Sequence, residues 1–294
     1  MERGLLMQGG LDRAARVSAC RDAVRAEAVL REEGVAASVD SHQGAASSGQ
    51  GVAHSLGDER TSRTARVVGE QGVAQLAAAK VAVFGLGGVG SSCAEALARA
   101  GVGTLVLIDR DAVEESNINR QALAFYSTVG RRKAEVMAAM VKDISPHATV
   151  IAHDAFVTED RVGEFIDGSV DYVVDALDTV TTKLALAAYA QREGIAYVGS
   201  MGAANKRHPE ELRFADIYDT QTCPLCRAVR KQARKRGIER MRVLYSSEQP
   251  VAVAAQDGAA RRERTELGTF SFMPPIMGQM IAGDVIKSIV GMSS

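Results

Sequence analysis

The segment "VAVFGLGGVGSSCAEALARAGVGTLVLID", residues 81–109, leaves this chain few folds to choose from. A short apolar run meets a glycine turn. A stretch of small, helix-favouring residues comes next, closed by Gly101, and a second apolar run ends on Asp109. That order, strand, turn, helix, strand, is a βαβ unit. Gly85, Gly87 and Gly90 fit G-x-G-x-x-G at the strand-to-helix turn, with Gly88 between them. There the free backbone N–H groups and the dipole of the helix draw phosphate. An acid at the end of the second strand, Asp109, is placed to hold ribose hydroxyls. The plainer alternatives are a tight turn with no ligand and a solvated strand-end acid, and the surrounding order favours a nucleotide over both.

The alternation continues. "RKAEVMAAMVKDI" predicts a helix stopped before Pro146, "ATVIAHD" and "DYVVDAL" strands, "TTKLALAAYAQREG" a helix and "IAYVGS" a strand. Strands alternating with helices imply an α/β fold, Rossmann-like and doubly wound, around a mostly parallel sheet. Past Ser200 the alternation weakens into "ELRFADIYDTQ", a basic helix "CRAVRKQARKRG", a strand "MRVLYSS", a polar loop over residues 253–266 and a last helix after Pro274 and Pro275. Residues 1–58 are rich in Ala, Gly, Ser, Arg and Glu and lack aromatic residues, which reads as a low-complexity, flexible extension. Within it "RAARVSACRDAVRAEAVLREEG" can form some helix. The folded domain is therefore expected over 59–294.

Composition supplies bounds. Hydrophobic residues make up 46% of the 294, ample for a buried core. The net charge of -1 excludes a strongly basic nucleic-acid binder by bulk charge and leaves local patches to be judged separately. No apolar run reaches the roughly eighteen residues of a membrane span, and no secretory signal is visible, so a cytoplasmic location is expected. Cys20, Cys93, Cys223 and Cys226 are too scattered for a disulfide framework and are expected reduced.

The segment beyond the βαβ unit separates NAD from ATP. Asn117, Arg120 and Gln121 lie in "SNINRQ", and Lys133 opens the next helix, so cations can converge on the phosphates. Cleaving a triphosphate to a monophosphate develops more charge than binding a dinucleotide, and Arg and Lys clamps neutralise it. An NAD oxidoreductase gives these side chains no role. As isolated residues, Arg120 and Lys133 fit a solvated surface loop equally well.

Taken together, "GLGGVG", "IDRDAVEESNINRQ" with Lys133 downstream, and "DALDTVTTK" resemble the ThiF/MoeB superfamily, adenylating enzymes akin to ubiquitin-activating proteins. The likeness runs from "RTARVVGEQG" to the last helix. It implies that Gly85, Gly87, Gly88 and Gly90 face the phosphates of ATP and Asp109 the ribose. Asn117, Arg120 and Lys133 would bind the triphosphate, and Asp178 would position Mg2+ and the reacting groups. Asp175 is read as structural. Arg63 in "SRTAR" matches an arginine that superfamily members insert into a partner's site, implying a homodimer; Arg60 and Arg66 lie close by.

Within the superfamily, "SMGAANKRHPEELRFADIYDT", "CPLCRAVRKQARKRGI", "RVLYSSEQP" and "GTFSFMPPIMGQMIAGDVIKSIVG" resemble the branch that dehydrates threonylcarbamoyladenosine in tRNA. The resemblance implies ATP-dependent cyclisation of that nucleoside through adenylation of its threonyl carboxylate, with no enzyme thiol. Members that activate a sulfur-carrier or ubiquitin-like protein usually carry two C-x-x-C zinc pairs. This chain has one, Cys223 and Cys226, which supplies two of the four ligands a structural zinc needs. His208 and Cys20 do not complete it convincingly, so the pair is read as neither catalytic nor zinc-binding. Cys226 also departs from the small residue usual in the branch, which keeps metal binding by the pair open. Cys93 is assigned to core packing. Adenylation of a small carrier protein remains the alternative activity, and accessory proteins, sulfur-transfer proteins among them, remain open. The run 226–242 concentrates cations, with Arg227, Arg230, Lys231 and Arg234 spaced to share one helical face that could track a tRNA backbone. A solvated helix paired to acids elsewhere is the plainer reading of that run.

Overall fold

The computed structural model describes residues 59–249 and 267–292. The expected extension over 1–58 and the polar loop over 253–266 lie outside the described residues. A seven-stranded sheet has the order β3-β2-β1-β4-β5-β7-β6. Its strands are β1 (Lys80–Phe84), β2 (Thr104–Asp109), β3 (Thr149–Asp154), β4 (Tyr172–Asp175), β5 (Ala196–Ser200), β6 (Leu212–Asp216) and β7 (Arg242–Ser246). Every pairing is parallel except that of β6 with β7. The mostly parallel, doubly wound reading therefore holds. The one antiparallel strand, β6, falls in the "ELRFAD" stretch where the alternation fades.

The helices are α1 (Ser62–Ala78), α2 (Gly88–Ala100), α3 (Lys133–Ile144), α4 (Val162–Phe165), α5 (Val180–Glu193), α6 (Pro224–Lys235) and α7 (Met273–Ile289). Their ends obey local chemistry. Gly101 and Gly194 take left-handed backbone after α2 and α5, and their N–H groups return to the last carbonyls of each helix. α1 bends at Gly69, which also has positive φ. The last helix starts at Met273, one residue before its two prolines, which occupy the first turn, where a missing N–H costs nothing.

The central strands bury both faces, as parallel strands covered by helices must. Val81 and Val83 of β1 join Leu97, Leu105, Leu107, Met137 and Ile281 on one face. Ala82 and Phe84 join Ile108, Val173, Phe165 and Leu186 on the other. α7 lies flush on α2 at Gly278, where a Cβ would come within 2.3 Å of the Val89 carbonyl oxygen. This contact brings the start of α7 to the glycine turn.

Candidate nucleotide site

Chain order reverses between β1 and β4, the two neighbours from which the sheet winds outward in opposite directions. The carboxyl ends of strands at such a switch point form the binding crevice of open α/β sheets. The glycine turn succeeds β1, Asp109 ends β2 and "DALD" closes β4, so three expected segments meet there.

Each glycine has a separate reason. Gly85 has φ of +86° and lies against the Ala176 carbonyl, where a Cβ would sit 2.8 Å from the oxygen. At Gly90 a Cβ would be 1.7 Å from the Gly85 carbonyl oxygen, so only glycine lets α2 start this close to β1. Gly88 is closed off by Pro274 at 2.7 Å and by Arg120. Gly87 alone has nothing within 4 Å of its Cβ position. The turn is thus packed tight from below and open at Gly87, the N-cap of α2, where the helix dipole is positive.

The side chains around the turn are tied to it. Asp109 accepts from the Leu86 N–H at 2.6 Å and from the Asp111 N–H at 2.8 Å. This holds the carboxylate beside the turn. Ser91 Oγ donates to the Gly87 carbonyl at 2.7 Å and accepts from the Ala122 N–H at 3.0 Å, lashing the glycine turn to the loop that carries Arg120. Asn117 is buried in a 3-10 turn over Glu115–Asn117, where its side chain and that of Glu114 cap each other's backbone. Its backbone oxygen accepts from the N–H groups of Arg120 and Gln121, both at 3.0 Å, so Asn117 shapes the loop from which Arg120 projects. The Arg120 guanidinium donates to the Ser116 carbonyl and to Asn119 Oδ1.

Lys133 is buried to 6% exposure, with Nζ 3.3 Å from Asp111 Oδ2. The Asp111 backbone carbonyl also accepts the Lys133 backbone N–H. Sequence reasoning named the lysine and passed over its acid, although "DRD" at the end of β2 carries that signal. Asp178 is exposed and two residues beyond the carbonyl of Ala176 that packs on Gly85. Asp175, by contrast, is fully buried. It pairs with Lys183 Nζ at 3.0 Å, accepts from Tyr197 OH at 2.7 Å and receives the Leu177 N–H at 3.0 Å. Burial, then the facing Asp175 carboxylate, holds the Tyr197 phenol well above its ordinary pKa, so the hydroxyl stays a donor. The structural role expected for Asp175 fits this geometry. Lys183, in the first turn of α5 and also fully buried, was missed; its signal was a lone charge opening the otherwise apolar run "LALAAYA".

Arg63 lies exposed on α1, whereas Arg60 donates to the Ala98 carbonyl at 2.9 Å and belongs to the α2 end. On α6, Cys226, Val229 and Ala233 face inward. The expected four-residue cationic face is not uniform. Arg230 is half-buried, its Nη1 donating to Thr220 O at 2.6 Å and Thr220 Oγ1 at 2.7 Å, which turns it toward the preceding loop. The Arg234 guanidinium lies 5.3 Å from the Tyr218 ring centroid. Among the described residues no ion pair joins Arg227, Lys231 or Lys235, all exposed. Lys231 and Lys235 line a shallow cleft of about 390 Å³ with Ala228, Gln232 and Arg236.

Burial raises the Cys93 thiol far above its usual range, in keeping with core packing. No helix among the described residues is long and apolar enough to cross a membrane.

Comparison with known proteins assigns the chain a family. The ThiF family model covers residues 60–294, and the chain belongs to that family. A tRNA threonylcarbamoyladenosine dehydratase of Bacillus subtilis (strain 168) is 38% identical over 238 residues, covering 78% of this chain and 94% of that protein. One from Escherichia coli (strain K12) is 41% identical over 176 residues, 60% of this chain and 66% of the relative. A crystal structure of the E. coli enzyme in complex with ATP superposes with a TM-score of 0.72 at 33% identity, over 79% of this chain and 94% of the other.

Proposed function

We propose that this chain carries out the ATP-dependent dehydration of threonylcarbamoyladenosine in tRNA, by adenylating the threonyl carboxylate. The observation that carries the reading is the near-complete match to a relative of that activity, 94% of whose length is covered, on a fold that superposes on an ATP complex. The catalytic unit is placed in residues 59–294, and no chemistry is given to 1–58.

The threonyl carboxylate is a poor electrophile, because the group that must leave is an oxide. Attack of a carboxylate oxygen on the α-phosphorus of ATP forms an acyl-adenylate and releases pyrophosphate. An atom of the same side chain then attacks the activated carbonyl and gives up its proton. AMP leaves with the former carboxylate oxygen, and loss of that oxygen is the dehydration. Ring closure is intramolecular, which removes the entropic penalty of bringing two reactants together.

In this reading the backbone N–H groups at Gly87 and Gly88 receive phosphate oxygens, and Asp109 takes the ribose. Lys133 and Arg120 balance charge as the α-phosphorus passes from tetrahedral to five-coordinate and pyrophosphate departs. Asp111 acts through Lys133, holding its ammonium in place. An exposed carboxylate such as Asp178, on the loop that closes β4 beside the phosphate cradle, fits the few protein ligands Mg2+ takes when it also binds substrate phosphates. Bound there, the ion would offset phosphate charge. Arg63, exposed on α1, is free to reach a second copy, and a homodimer is the consequence of that assignment. Arg227, Lys231 and Arg234, with Lys235 added, would contact tRNA phosphates. The setting is cytoplasmic.

The test is incubation of the full chain with ATP, magnesium and tRNA bearing or lacking the threonylcarbamoyl group, then mass analysis of digested nucleosides. Loss of one water from the modified nucleoside, dependent on ATP, supports the reading. ATP–pyrophosphate exchange that responds to a small carrier protein and not to tRNA would replace it with the carrier-activating alternative.

A further inference from the structure

α6 opens on two cysteines for which the proposed reaction has no use. Cys223 is the N-cap of the helix and Cys226 lies in its first turn, with Pro224 and Leu225 between. Both are free thiols, Cys223 at 5% exposure and Cys226 at 1%. The Cys223 carbonyl accepts the Arg227 N–H at 3.1 Å, so its thiol stands at the N-terminus of α6, where the helix dipole is positive. A helix N-terminus favours thiolate over thiol. Cys223 is accordingly held well below the usual thiol range, first by the hydrogen bond from Cys226, while Cys226 is pushed up.

The approach to Cys223 is the weak point of the local backbone. Thr222 has φ of +59°, in the left-handed region that a β-branched residue rarely occupies. The Cys223 N–H reaches back to the Gln221 carbonyl at 2.6 Å across a tight turn, and Gln221 and Thr222 are both exposed. Cys223 sits at this turn and is the less buried of the two, while Cys226 faces the core with Val229 and Ala233. Among the described residues no group of three or more His, Cys, Asp and Glu is placed to hold a metal. The pair thus has the spacing, polarity and unequal access of a thiol–disulfide exchanger.

We propose that Cys223 and Cys226 form a reversible dithiol–disulfide couple that exchanges with low-molecular-weight disulfides, Cys223 attacking and Cys226 resolving. In the first step the Cys223 thiolate attacks one sulfur of the small disulfide. Its S–S bond breaks, one small thiolate leaves, and a mixed disulfide remains on Cys223. In the second step Cys226 loses its proton and attacks the Cys223 sulfur, expelling the second small thiolate. The chain has lost two hydrogens and the small disulfide has become two thiols.

The inference does not rest on the tRNA reaction and is tested without it. The full chain is treated with excess glutathione disulfide at neutral pH, remaining thiols are alkylated, and peptides are weighed. The expected result is a Cys223–Cys226 disulfide that reduced glutathione reverses. Cys226→Ser should trap glutathione on Cys223, while Cys223→Ser should leave Cys226 unmodified. Should either variant fail to fold, the wild-type peptide map decides. A folded wild-type chain in which both cysteines remain alkylatable after oxidation would overturn the proposal. So would stoichiometric zinc released by blocking the pair.

Discussion

Two glycines of one turn should respond in opposite ways to the same added methyl group. At Gly90 the new carbon would lie 1.7 Å from the Gly85 backbone oxygen. An ordinary C···O contact is about 3.3 Å, so strand β1 and helix α2 must part by roughly 1.5 Å. Overpacking costs about 1–3 kcal/mol, and a backbone obstacle places Gly90→Ala at or above the upper end. For a domain of this size each kcal/mol lowers Tm by about 2–4 °C, giving a drop of about 6–12 °C. At Gly87 nothing lies within 4 Å and φ is -71°, so alanine fits without strain. Its only structural cost is a poorer N-cap, about 1 kcal/mol or less. The methyl group would instead stand between the α2 N–H groups and a bound phosphate. Losing one charge-assisted hydrogen bond, about 1.5–3 kcal/mol, weakens ATP by roughly ten- to a hundredfold. Thermal melting and calorimetric titration with ATP read the two effects separately. Wild-type ATP affinity in folded Gly87→Ala, or a wild-type Tm in Gly90→Ala, would refute the division of roles.

Lys133→Ala, Arg120→Ala and Asp178→Ala should each slow adenylation by about a hundredfold, the scale of one preorganised charge contact, with the Tm of Asp178→Ala unchanged; single-turnover AMP formation checks this. Lys183→Met leaves Asp175 charged in the core and should cost about 3–5 kcal/mol in urea unfolding, a loss that Asp175→Asn in the same chain should largely recover. On α6, Arg227→Glu with Lys231→Glu should weaken tRNA and flatten its salt dependence by roughly one unit of log–log slope for each phosphate no longer neutralised, with ATP affinity unchanged; an unaltered slope would move the RNA surface elsewhere.

Much of the fold was legible because parallel strands and covering helices write long, regular patterns. β1 to β5 with α2, α3 and α5 fall where apolar runs, Gly101, Gly194 and Pro146 place them, while the one-turn α4 between β3 and β4 was not expected. β6 escaped because "LRFAD" is an edge strand with intermediate burial, lacking the continuous apolar run of its neighbours. α1 escaped for a related reason: it buries little beyond Gly72 and Leu76 and is bent at Gly69. At the crevice, residue types were legible and pairings were not. "DALD" shows two acids, but only the fold sends Asp175 inward to Lys183 and leaves Asp178 exposed. Likewise helical spacing grouped Arg230 with Arg227, Lys231 and Arg234, whereas Arg230 turns back to Thr220 through contacts between loop and helix that no periodicity encodes.

The central claim is that the threonyl carboxylate is activated as an acyl-adenylate, and the path of one oxygen tests it. Threonylcarbamoyl-modified tRNA carrying heavy oxygen in that carboxylate is incubated with ATP, magnesium and the full chain, and the nucleotide and phosphate products are weighed. The account predicts one heavy oxygen in AMP, none in pyrophosphate, and one remaining in the ring product. Heavy oxygen in inorganic phosphate with ADP formed, or a dehydrated product with unlabelled AMP, would contradict it.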